Sequence, residues 1–491
     1  MIAFFEKYDK IKWDGYVLVI PYYNQGAKNM KKTALRIVSL VFVLLLVFSL
    51  CACKAKTSGG AQSSSEGLDE NYAGLIVYSS DVDLGEVETI VDESGEPYVT
   101  PVYKMRDKSV KFLSHWNAET PDSVHMTAYM EKYGGPNIDF VTYTYGECGM
   151  KLQAMVLAEN SPDVYKLRSG DLTSLLFADV WSDITNDFDW DNRNWRELAP
   201  YMQYVSVDGK ILAAPEMNAN YMVWFNRSIF EEYGVEDPLT LWEKNEWTLA
   251  NFDNICRKLT IKEGGNTSIF GFGFDHCWFT EVLAMFDAHF VKFDGSQYIS
   301  TTDDPKLADA FSYINQMSST EKLWSDMSKA NAYFASGKQA MLYFGNWLSM
   351  SEPFRTMALE GKIDFVPVPE NTTHGLGPRQ DYAIGGHAIP VGSKNREEAK
   401  AFIEIFNFYK QTPELDMVST EAQCKINAWT IDQFFRMRAP RKYKNPYTNL
   451  SPLNGDEYFI PALNGENWYT LKEKVDPSLN LILDTIAQQK R

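Results

Sequence analysis

The segment Ser109–Glu119 reads SVKFLSHWNAE, and it opens the part of the chain that decides the fold. Its first half, Val110–Leu113, is a short apolar run that predicts a buried strand ending in a polar, aromatic loop. Alternating strand and helix patterns follow, which is typical of α/β lobes built around sheets. Because open α/β sheets bind ligands beyond the carboxyl ends of their strands, the loop His115–Glu119 is a candidate ligand site.

The segments that follow continue the alternation. Ile138–Thr142 predicts a second strand, and the apolar residues between positions 150 and 158 form one helical face ahead of the strand Asp163–Tyr165. Much later, Ser393–Lys410 predicts a helix with Asn395 as its cap and an apolar face for packing. The pattern therefore favours two α/β lobes over a single β or helical domain.

Length and charge limit the function classes. At 491 residues with 45% hydrophobic content, the chain exceeds the size at which a single core keeps growing, so two lobes are expected. The formal charge of −18 disfavours binding to nucleic acid, whose phosphates such a surface repels. Aromatic residues make up 14% of the chain, which requires either a large core or a cleft lined by rings.

The segment Met30–Cys53 is built like a lipoprotein signal. Basic residues come first, the apolar run Ile37–Leu50 follows, and Cys51-Ala52-Cys53 closes the segment. The run is shorter than the roughly 20 residues of a membrane-spanning helix. Its end resembles the bacterial lipobox, which implies a signal over residues 30–52 and a diacylglycerol on the Cys53 thiol. A plain signal peptide or a membrane span with incidental cysteines is the alternative.

Two segments flank this signal. Residues 53–65 hold the lipidated cysteine and a tether rich in Ser and Gly, which is typical of a flexible linker. Residues 1–29 precede a complete signal, so we expect Met30 to be the true start and the upstream residues to be a mis-annotated extension. The alternative is an unusually long cytoplasmic n-region.

An acidic segment, residues 66–108, separates the tether from the α/β part. Two runs rich in Val and Tyr, Val87–Val91 and Tyr98–Tyr103, flank a turn sequence containing Gly and Pro. This arrangement predicts an extra β-hairpin ahead of the main lobes.

The ordered series of segments from residue 109 to about residue 410 resembles the extracellular solute-binding proteins of ABC importers, the sugar-binding family that includes maltose-binding protein. The stretch after Val164, Tyr-Lys-Leu-Arg-Ser, is bulkier than the small residues usual in that family, which bears on the size of the pocket. The segments that carry the resemblance are Val207–Pro215, Met222–Gly234, Trp247-Thr248 with Phe252, Phe334–Met341 with Gly345-Asn346-Trp347, Ile363–Pro369, Gly385-Gly386 and Ser393–Ala399.

The resemblance implies an α/β, two-lobed periplasmic-binding-protein type II fold with hinge-linked, discontinuous lobes. The first lobe is expected over 109–214, the second over 215–384, and 385–491 returns to the first lobe and adds C-terminal helices shared between lobes. It also implies a monomeric, non-enzymatic receptor without cofactor or metal, anchored by lipid to the outer face of the bacterial cytoplasmic membrane. Such a receptor delivers a carbohydrate to ABC permease subunits, and the aromatic richness favours an oligosaccharide.

The ligand-binding residues are expected from both lobes, because a hinged binder closes only through contacts with both. Aromatic rings offer flat faces to the C–H faces of a sugar, while carboxylates and amides bond its hydroxyls. The candidates are His115, Trp116, Asn117, Tyr145 and Glu147 in the first lobe, and Tyr221, Trp278, Trp347 and Asp381 in the second.

Other constellations give weaker signals. Asp187–Asp191 starts like a calcium loop but lacks the glycine and glutamate that such a loop needs later. The cysteines outside the signal have no C-x-x-C spacing, so zinc is disfavoured; they are expected as buried free thiols, with a Cys256–Cys277 disulfide left open. The rival functions are a surface-anchored glycosidase with two carboxylates at its cleft, and a non-transporting adhesin or scaffold lipoprotein.

Overall fold

The computed structural model divides the chain into two compact units, residues 1–64 and 65–491. The residues it describes are 8–13, 16–21, 97–168, 171, 180–196, 198–207, 209–218, 221–275, 277–293, 297–374, 383–411, 421, 424–425, 427–438 and 458–489.

The described part of the smaller unit is an antiparallel hairpin of β1 (Tyr8–Trp13) and β2 (Tyr16–Pro21), with Trp13 opposite Tyr16. The expected signal over 30–52, Cys53 and the tether lie outside the described residues. Within the described ranges, no helix is both long and apolar enough to cross a membrane.

The larger unit alternates strands and helices, as the sequence predicts. Its strands are β3 (Ser109–Ser114), β4 (Asn137–Thr142), β5 (Val164–Leu167), β6 (Ser206–Val207), β7 (Lys210–Ile211), β8 (Ala214–Asn218), β9 (Tyr221–Asn226), β10 (Ile261–Glu263), β11 (Asn266–Phe274), β12 (Val291–Phe293), β13 (Tyr298–Ser300), β14 (Gln339–Gly345), β15 (Ile363–Val366) and β16 (Ala383–Ala388). Its α-helices are α1 (Pro121–Lys132), α2 (Cys148–Leu157), α3 (Arg193–Arg196), α4 (Arg227–Tyr233), α5 (Pro238–Glu243), α6 (Leu249–Leu259), α7 (Trp278–Phe286), α8 (Pro305–Asn315), α9 (Ala330–Ala335), α10 (Phe354–Leu359), α11 (Arg396–Gln411), α12 (Ile431–Arg438), α13 (Phe459–Leu463) and α14 (Trp468–Gln489).

The first lobe is built on a five-stranded sheet in the order β4-β3-β5-β16-β8. The strand β3 runs parallel to β4 and β5, whereas β16 runs antiparallel to β5 and β8. Phe112 of β3 packs against Phe402 of α11 with ring centroids 5.0 Å apart, inside a core that α1 also covers. The apolar strand and helix face predicted from the sequence therefore meet in this core.

The second lobe is built on a five-stranded sheet in the order β10-β11-β14-β9-β15. Its helix α6 begins after Thr248, whose Oγ1 accepts the backbone N–H of Asn251 at 3.3 Å as a cap. The buried face of α6, which includes Phe252, packs on Phe272 of β11 at 4.9 Å. The C-terminal helices complete this core, with Trp468 4.6 Å from Phe311.

The chain leaves the first-lobe sheet later, and returns to it earlier, than the sequence predicts. Strand β8 belongs to the first-lobe sheet as far as Asn218, which pairs with Ala383, the first residue of β16. The crossings therefore lie between Asn218 and Tyr221 and between Val366 and Ala383, rather than after residues 214 and 384. Backbone pairing between two distant segments sets these limits, and no local pattern shows it.

The second strand of the hairpin predicted between residues 87 and 103 is absent, because residues 98–103 are irregular. Tyr98 is buried in the first-lobe core, and the backbone N–H and C=O of Val99 bond the side-chain amide of Asn194 at 2.9 and 2.7 Å. A side chain thus replaces the partner strand. The other predicted strand, Val87–Val91, lies outside the described residues.

The turn after α1 depends on a glycine. Gly134 has φ +69°, and a Cβ on it would lie 2.1 Å from the carbonyl oxygen of Tyr103. The same turn binds the N-terminal segment through two backbone bonds of 2.8 Å, from Tyr103 to Tyr133 and from Met105 to Gly134. Only a residue without a side chain fits this close approach.

Helix α11 begins one residue after Asn395, the cap that the sequence predicts. The backbone and side-chain N–H groups of Asn395 donate to the Asp163 carboxylate at 3.2 and 3.0 Å, and Ser393 Oγ donates to it at 2.9 Å. The carboxylate also accepts the N–H of Lys111 at 2.9 Å. Asp163 therefore fixes the start of α11 against the first-lobe sheet.

Candidate ligand cleft

Polar and aromatic side chains follow three neighbouring strands of the first-lobe sheet. His115 and Trp116 come after β3, Tyr145 follows β4, and Arg168 follows β5. The ring of Tyr145 lies 5.0 Å from that of His115 and 4.6 Å from the Arg168 guanidinium. Because these strands are parallel, their carboxyl ends share one edge of the sheet, as the sequence predicts for a ligand site.

A second group lies at the matching edge of the second-lobe sheet. Asp275 follows β11, Trp347 follows β14, and Tyr221 begins β9, which runs antiparallel so that Tyr221 pairs with Gly345. The Tyr221 ring stacks on Tyr343 at 5.2 Å and 17°, and it meets Trp347 at 5.2 Å and 81°. The three elements therefore present an acid and two rings at one edge.

The two edges lie close enough to influence each other. Burial holds the pKa of Tyr221 well above its ordinary value, and the nearby Asp275, Cys277 and Tyr145 groups raise it further. Tyr145 belongs to the first lobe and Tyr221 to the second, so this interaction crosses between the lobes. We call the space between these edges, bounded by His115, Trp116, Tyr145, Tyr221, Asp275 and Trp347, the interlobe cleft.

Arg168 supports the Tyr145 ring from a fixed position. Its Nε and Nη2 bond the two carboxylate oxygens of Asp171 at 2.8 and 2.5 Å. Tyr165 adds a hydroxyl bond of 2.7 Å to the same carboxylate, and burial raises the pKa of that hydroxyl. A bidentate pair of this kind holds a guanidinium plane in one orientation. Arg168 is therefore a positioning residue for Tyr145.

Trp116 lies on a buried ion pair. The Lys166 ammonium is 5.0 Å from the Trp116 ring centroid and 5.2 Å from that of Phe406, and it pairs with the carboxylate of Glu216. Both charged side chains are only 6% exposed. Glu216 belongs to β8, the strand that leads to the first crossing, so this pair connects a cleft ring to the hinge.

His115 is neutral at ordinary pH. Its pKa is lowered from 6.5 to about 4, first by burial and then by the charges of Lys166 and Arg168. Its Nδ1 is buried and has no hydrogen-bond partner within the described ranges. A neutral imidazole with an unused ring nitrogen can accept or donate one bond to a ligand hydroxyl.

The ionised form of Asp275 is disfavoured by burial. Burial raises its pKa from 3.8 to about 7, although bonds from the Cys277 backbone, the Tyr221 hydroxyl and the Cys277 thiol act in the opposite direction. The Cys277 N–H donates to Asp275 Oδ1 at 2.9 Å. Behind it, Tyr343 donates to Glu281 at 2.8 Å inside the core.

Two of the predicted first-lobe residues shape loops. Asn117 Oδ1 accepts the backbone N–H groups of Glu119 and Thr120 at 2.9 and 3.0 Å, which forms the turn before α1. Glu147 accepts the Thr144 hydroxyl at 2.6 Å, and this bond lowers its pKa. Both side chains are thus committed to local bonds at the rim of the cleft.

The prediction of Trp278 as a ligand contact is wrong. Its side chain is fully buried and packs on Phe272 at 4.7 Å and on Phe252 at 5.7 Å. Helix α7 begins at Trp278, and this first turn directs the ring into the second-lobe core. Asp381, the remaining candidate, lies outside the described residues.

Sequence reasoning missed Arg168 and Asp275. Arg168 belongs to the bulky stretch after Val164. The sequence showed the unusual side-chain volume of that stretch, but it did not show that Arg168 contacts Tyr145. Asp275 directly follows β11, whose Gly271-Phe272-Gly273 pattern predicts only a strand or bend. Its position at the carboxyl end of a strand would have identified it.

The remaining constellations have structural roles. Cys148, Cys256 and Cys424 are buried free thiols and Cys277 is partly buried and free, so the Cys256–Cys277 disulfide left open by the sequence is not formed. Asp187, the first residue of the calcium-like loop, forms a salt bridge with Arg396, whose Nη2 lies 2.6 Å from the Asp187 Oδ2.

Comparison with known proteins gives matches over the same region. A family described as bacterial extracellular solute-binding protein matches residues 117–408. The diacetylchitobiose binding protein DasA of Streptomyces coelicolor is 25% identical over 275 residues, which span 52% of this chain and 58% of that protein. The match thus spans less than two thirds of the relative's own length.

Solved structures share the fold. The GacH receptor of Streptomyces glaucescens, solved unliganded and with acarbose, gives a TM-score of 0.57 at 16% identity, over 77% of this chain and 98% of that chain. The substrate-binding protein Lmo0181 of Listeria monocytogenes, in complex with cycloalternan, gives 0.53 at 17% identity, over 77% and 99%. At these identities the likeness shows the two-lobed type II fold alone.

Proposed function

The chain belongs to the family of bacterial extracellular solute-binding proteins, and from that premise we propose that it binds a carbohydrate in the interlobe cleft for an ABC importer. The observation that carries the proposal is the pair of ring-bearing sheet edges, one in each lobe: His115, Trp116 and Tyr145 lie together at the first, and Tyr221 and Trp347 at the second. Ligand contacts to both lobes are what select the closed state of a hinged binder.

The residue types at the two edges fit a saccharide. Trp116, Tyr145, Tyr221 and Trp347 bring rings from both lobes, which suit the C–H faces of pyranoses. Between them, His115 offers an unused ring nitrogen for a hydroxyl. The similarity to a diacetylchitobiose binding protein and to receptors solved with acarbose and cycloalternan supports an oligosaccharide rather than a monosaccharide.

A binding screen tests this proposal. Purified protein is incubated with neutral mono- and oligosaccharides, with amino acids as controls, and the melting temperature is recorded. A ligand that binds only the folded state stabilises it by about 2.7 kcal/mol at a hundredfold excess over its dissociation constant. Chromatography of the incubated sugar separates a receptor from a glycosidase, because only an enzyme consumes the sugar. If no sugar raises the melting temperature, the proposal that the ligand is a carbohydrate is refuted.

We further propose that the receptor is held at the outer face of the membrane by a lipid on Cys53 and delivers its ligand to permease subunits. The composition of residues 30–65 supports the anchor. Metabolic labelling with an alkyne fatty acid should mark the wild-type protein and not the Cys53→Ala variant. Equal labelling of both would refute lipidation at this residue.

A further inference from the structure

The cationic groups at the first-lobe edge are all neutralised. Arg168 is bonded through two nitrogens by Asp171, and Lys166 is paired with Glu216. His115 is uncharged at neutral pH, because burial lowers its pKa to about 4. His115, Lys166 and Arg168 therefore bring no uncompensated positive charge to a ligand at this edge.

The second-lobe edge differs in the described surroundings of Asp275. Its bonds come from the Cys277 N–H at 2.9 Å and from the Tyr221 hydroxyl and the Cys277 thiol, all neutral donors. Across the part of the chain that the structure describes, no Lys, Arg or His makes an ion pair with it. A partly buried carboxylate without a counter-ion is costly, and a ligand that brings a positive charge removes that cost.

We propose that Asp275 binds the ammonium group of an amino sugar, so that the ligand class is a saccharide with at least one free amine. This inference rests on the proposed carbohydrate-binding function and adds a charge to its ligand.

The rings around Asp275 favour the same group. One face of Tyr221 is covered by Tyr343, which stacks on it at 5.2 Å, so only the opposite face is left for a ligand. Trp347 stands nearly perpendicular to Tyr221 at 81°. An ammonium group within about 6 Å of such ring faces gains a cation–π attraction in addition to its pairing with the carboxylate.

Binding of an ammonium should be coupled to proton release. The described groups that act on Asp275 or are acted on by it are Tyr221 from β9, Tyr343 from β14, and Cys277, which precedes α7. Burial keeps the pKa of both tyrosines raised, so they stay protonated near neutrality. Asp275, with a pKa of about 7, is the group that ionises there. A bound cation lowers that pKa, so affinity for an amine should rise from about pH 5 to about pH 6.5, a range in which the amine of the sugar is itself protonated.

The test is calorimetry on the full chain with three probes: the disaccharide of glucosamine, its N,N′-diacetyl form, and spermidine. At about pH 6.5, where the sugar amine carries its charge, the amine form should bind at least about tenfold more tightly than the acetylated form. Its binding should release protons, which is measured by repeating the titration in buffers of different ionisation enthalpy. The acetylated form should bind without proton release.

The matched variants are Asp275→Asn and Asp253→Asn. Asp253 is also a carboxylate with a raised pKa, about 6 from burial, and it accepts a tyrosine hydroxyl, that of Tyr313, at 2.8 Å. It lies on α6, outside the cleft. Asp275→Asn should abolish the preference for the amine and the proton release, whereas Asp253→Asn should keep both. If Asp275→Asn does not fold, the inference is tested on the wild type alone: proton release on binding of the amine supports it, and binding of the amine without proton release overturns it.

The outcomes separate this inference from the proposed function. Binding of the acetylated sugar at least as tightly as the amine, without proton release, overturns the ammonium subsite and leaves carbohydrate binding in place. Binding of spermidine alone overturns the amino sugar as the ligand. Failure of all three probes overturns the inference as well, while the screen of neutral oligosaccharides still decides the proposed function.

Discussion

The buried ion pair beneath Trp116 gives the sharpest prediction, because it needs no ligand. Lys166 and Glu216 are each 6% exposed, and the ammonium lies between the rings of Trp116 and Phe406. Removal of one partner leaves the other charge buried and unpaired. Lys166→Met and Glu216→Gln should therefore each lower the free energy of unfolding by about 3–5 kcal/mol.

The double variant should be far less damaged than the two losses added together. With both charges gone, no buried ion remains, and replacing such a pair by neutral groups of similar volume is often close to neutral. The assay is urea unfolding followed by tryptophan fluorescence, as a double-mutant cycle. The control pair is Lys244–Glu236, whose side chains are 52% and 44% exposed, and Lys244→Met should leave stability nearly unchanged.

Two results would refute this reasoning. If each single variant lost less than about 1 kcal/mol, the pair would behave as an exposed one. If the two losses simply added, the charges would not depend on each other, and the proposed link from Trp116 to the hinge strand would fail.

The other predictions concern the cleft and the N-terminal segment. Tyr145→Ala should weaken the binding of a saccharide found in the screen by about tenfold or more, with little loss of stability, because Tyr145 is 56% exposed. The control Tyr469→Ala, at an exposed site on α14, should change neither the affinity nor the stability. Equal affinity of the two variants would exclude Tyr145 from the site. His115 has a pKa of about 4 in the folded protein and about 6.5 in the unfolded chain, so its contribution to stability is complete above about pH 6.5 and is lost as pH falls toward 4. Between these two pH values, the free energy of unfolding should fall more steeply for the wild type than for His115→Asn. Equal pH dependence of the two proteins would contradict the pKa shift. Gly134→Ala should lower the free energy of unfolding, measured with urea, by about 2 kcal/mol or more, because the Cβ of the alanine would collide with the carbonyl oxygen of Tyr103. An unchanged urea midpoint would mean that the turn can move to make room for it.

The sequence showed which residues follow β3 and β4, because periodicity indicates where strands end. Loops after β3 and β4 supplied His115, Trp116 and Tyr145, all of which the structure brings together. The same reasoning failed at Trp278, because the direction of a side chain at a helix start depends on how that helix packs. A residue at the end of a strand can point into the cleft or into the core.

What the sequence determined by itself was the local order: alternating strands and helices, the start of α11 after Asn395, and the resemblance to the family. These depend on short-range periodicity, capping and turn chemistry. What only the tertiary structure decided was charge and contact between distant residues. Lys166 and Glu216 are 50 positions apart, and Tyr145 raises the pKa of Tyr221 only because the lobes face each other. Burial and long-range pairing set which acid stays without a cation, and no local pattern contains that information.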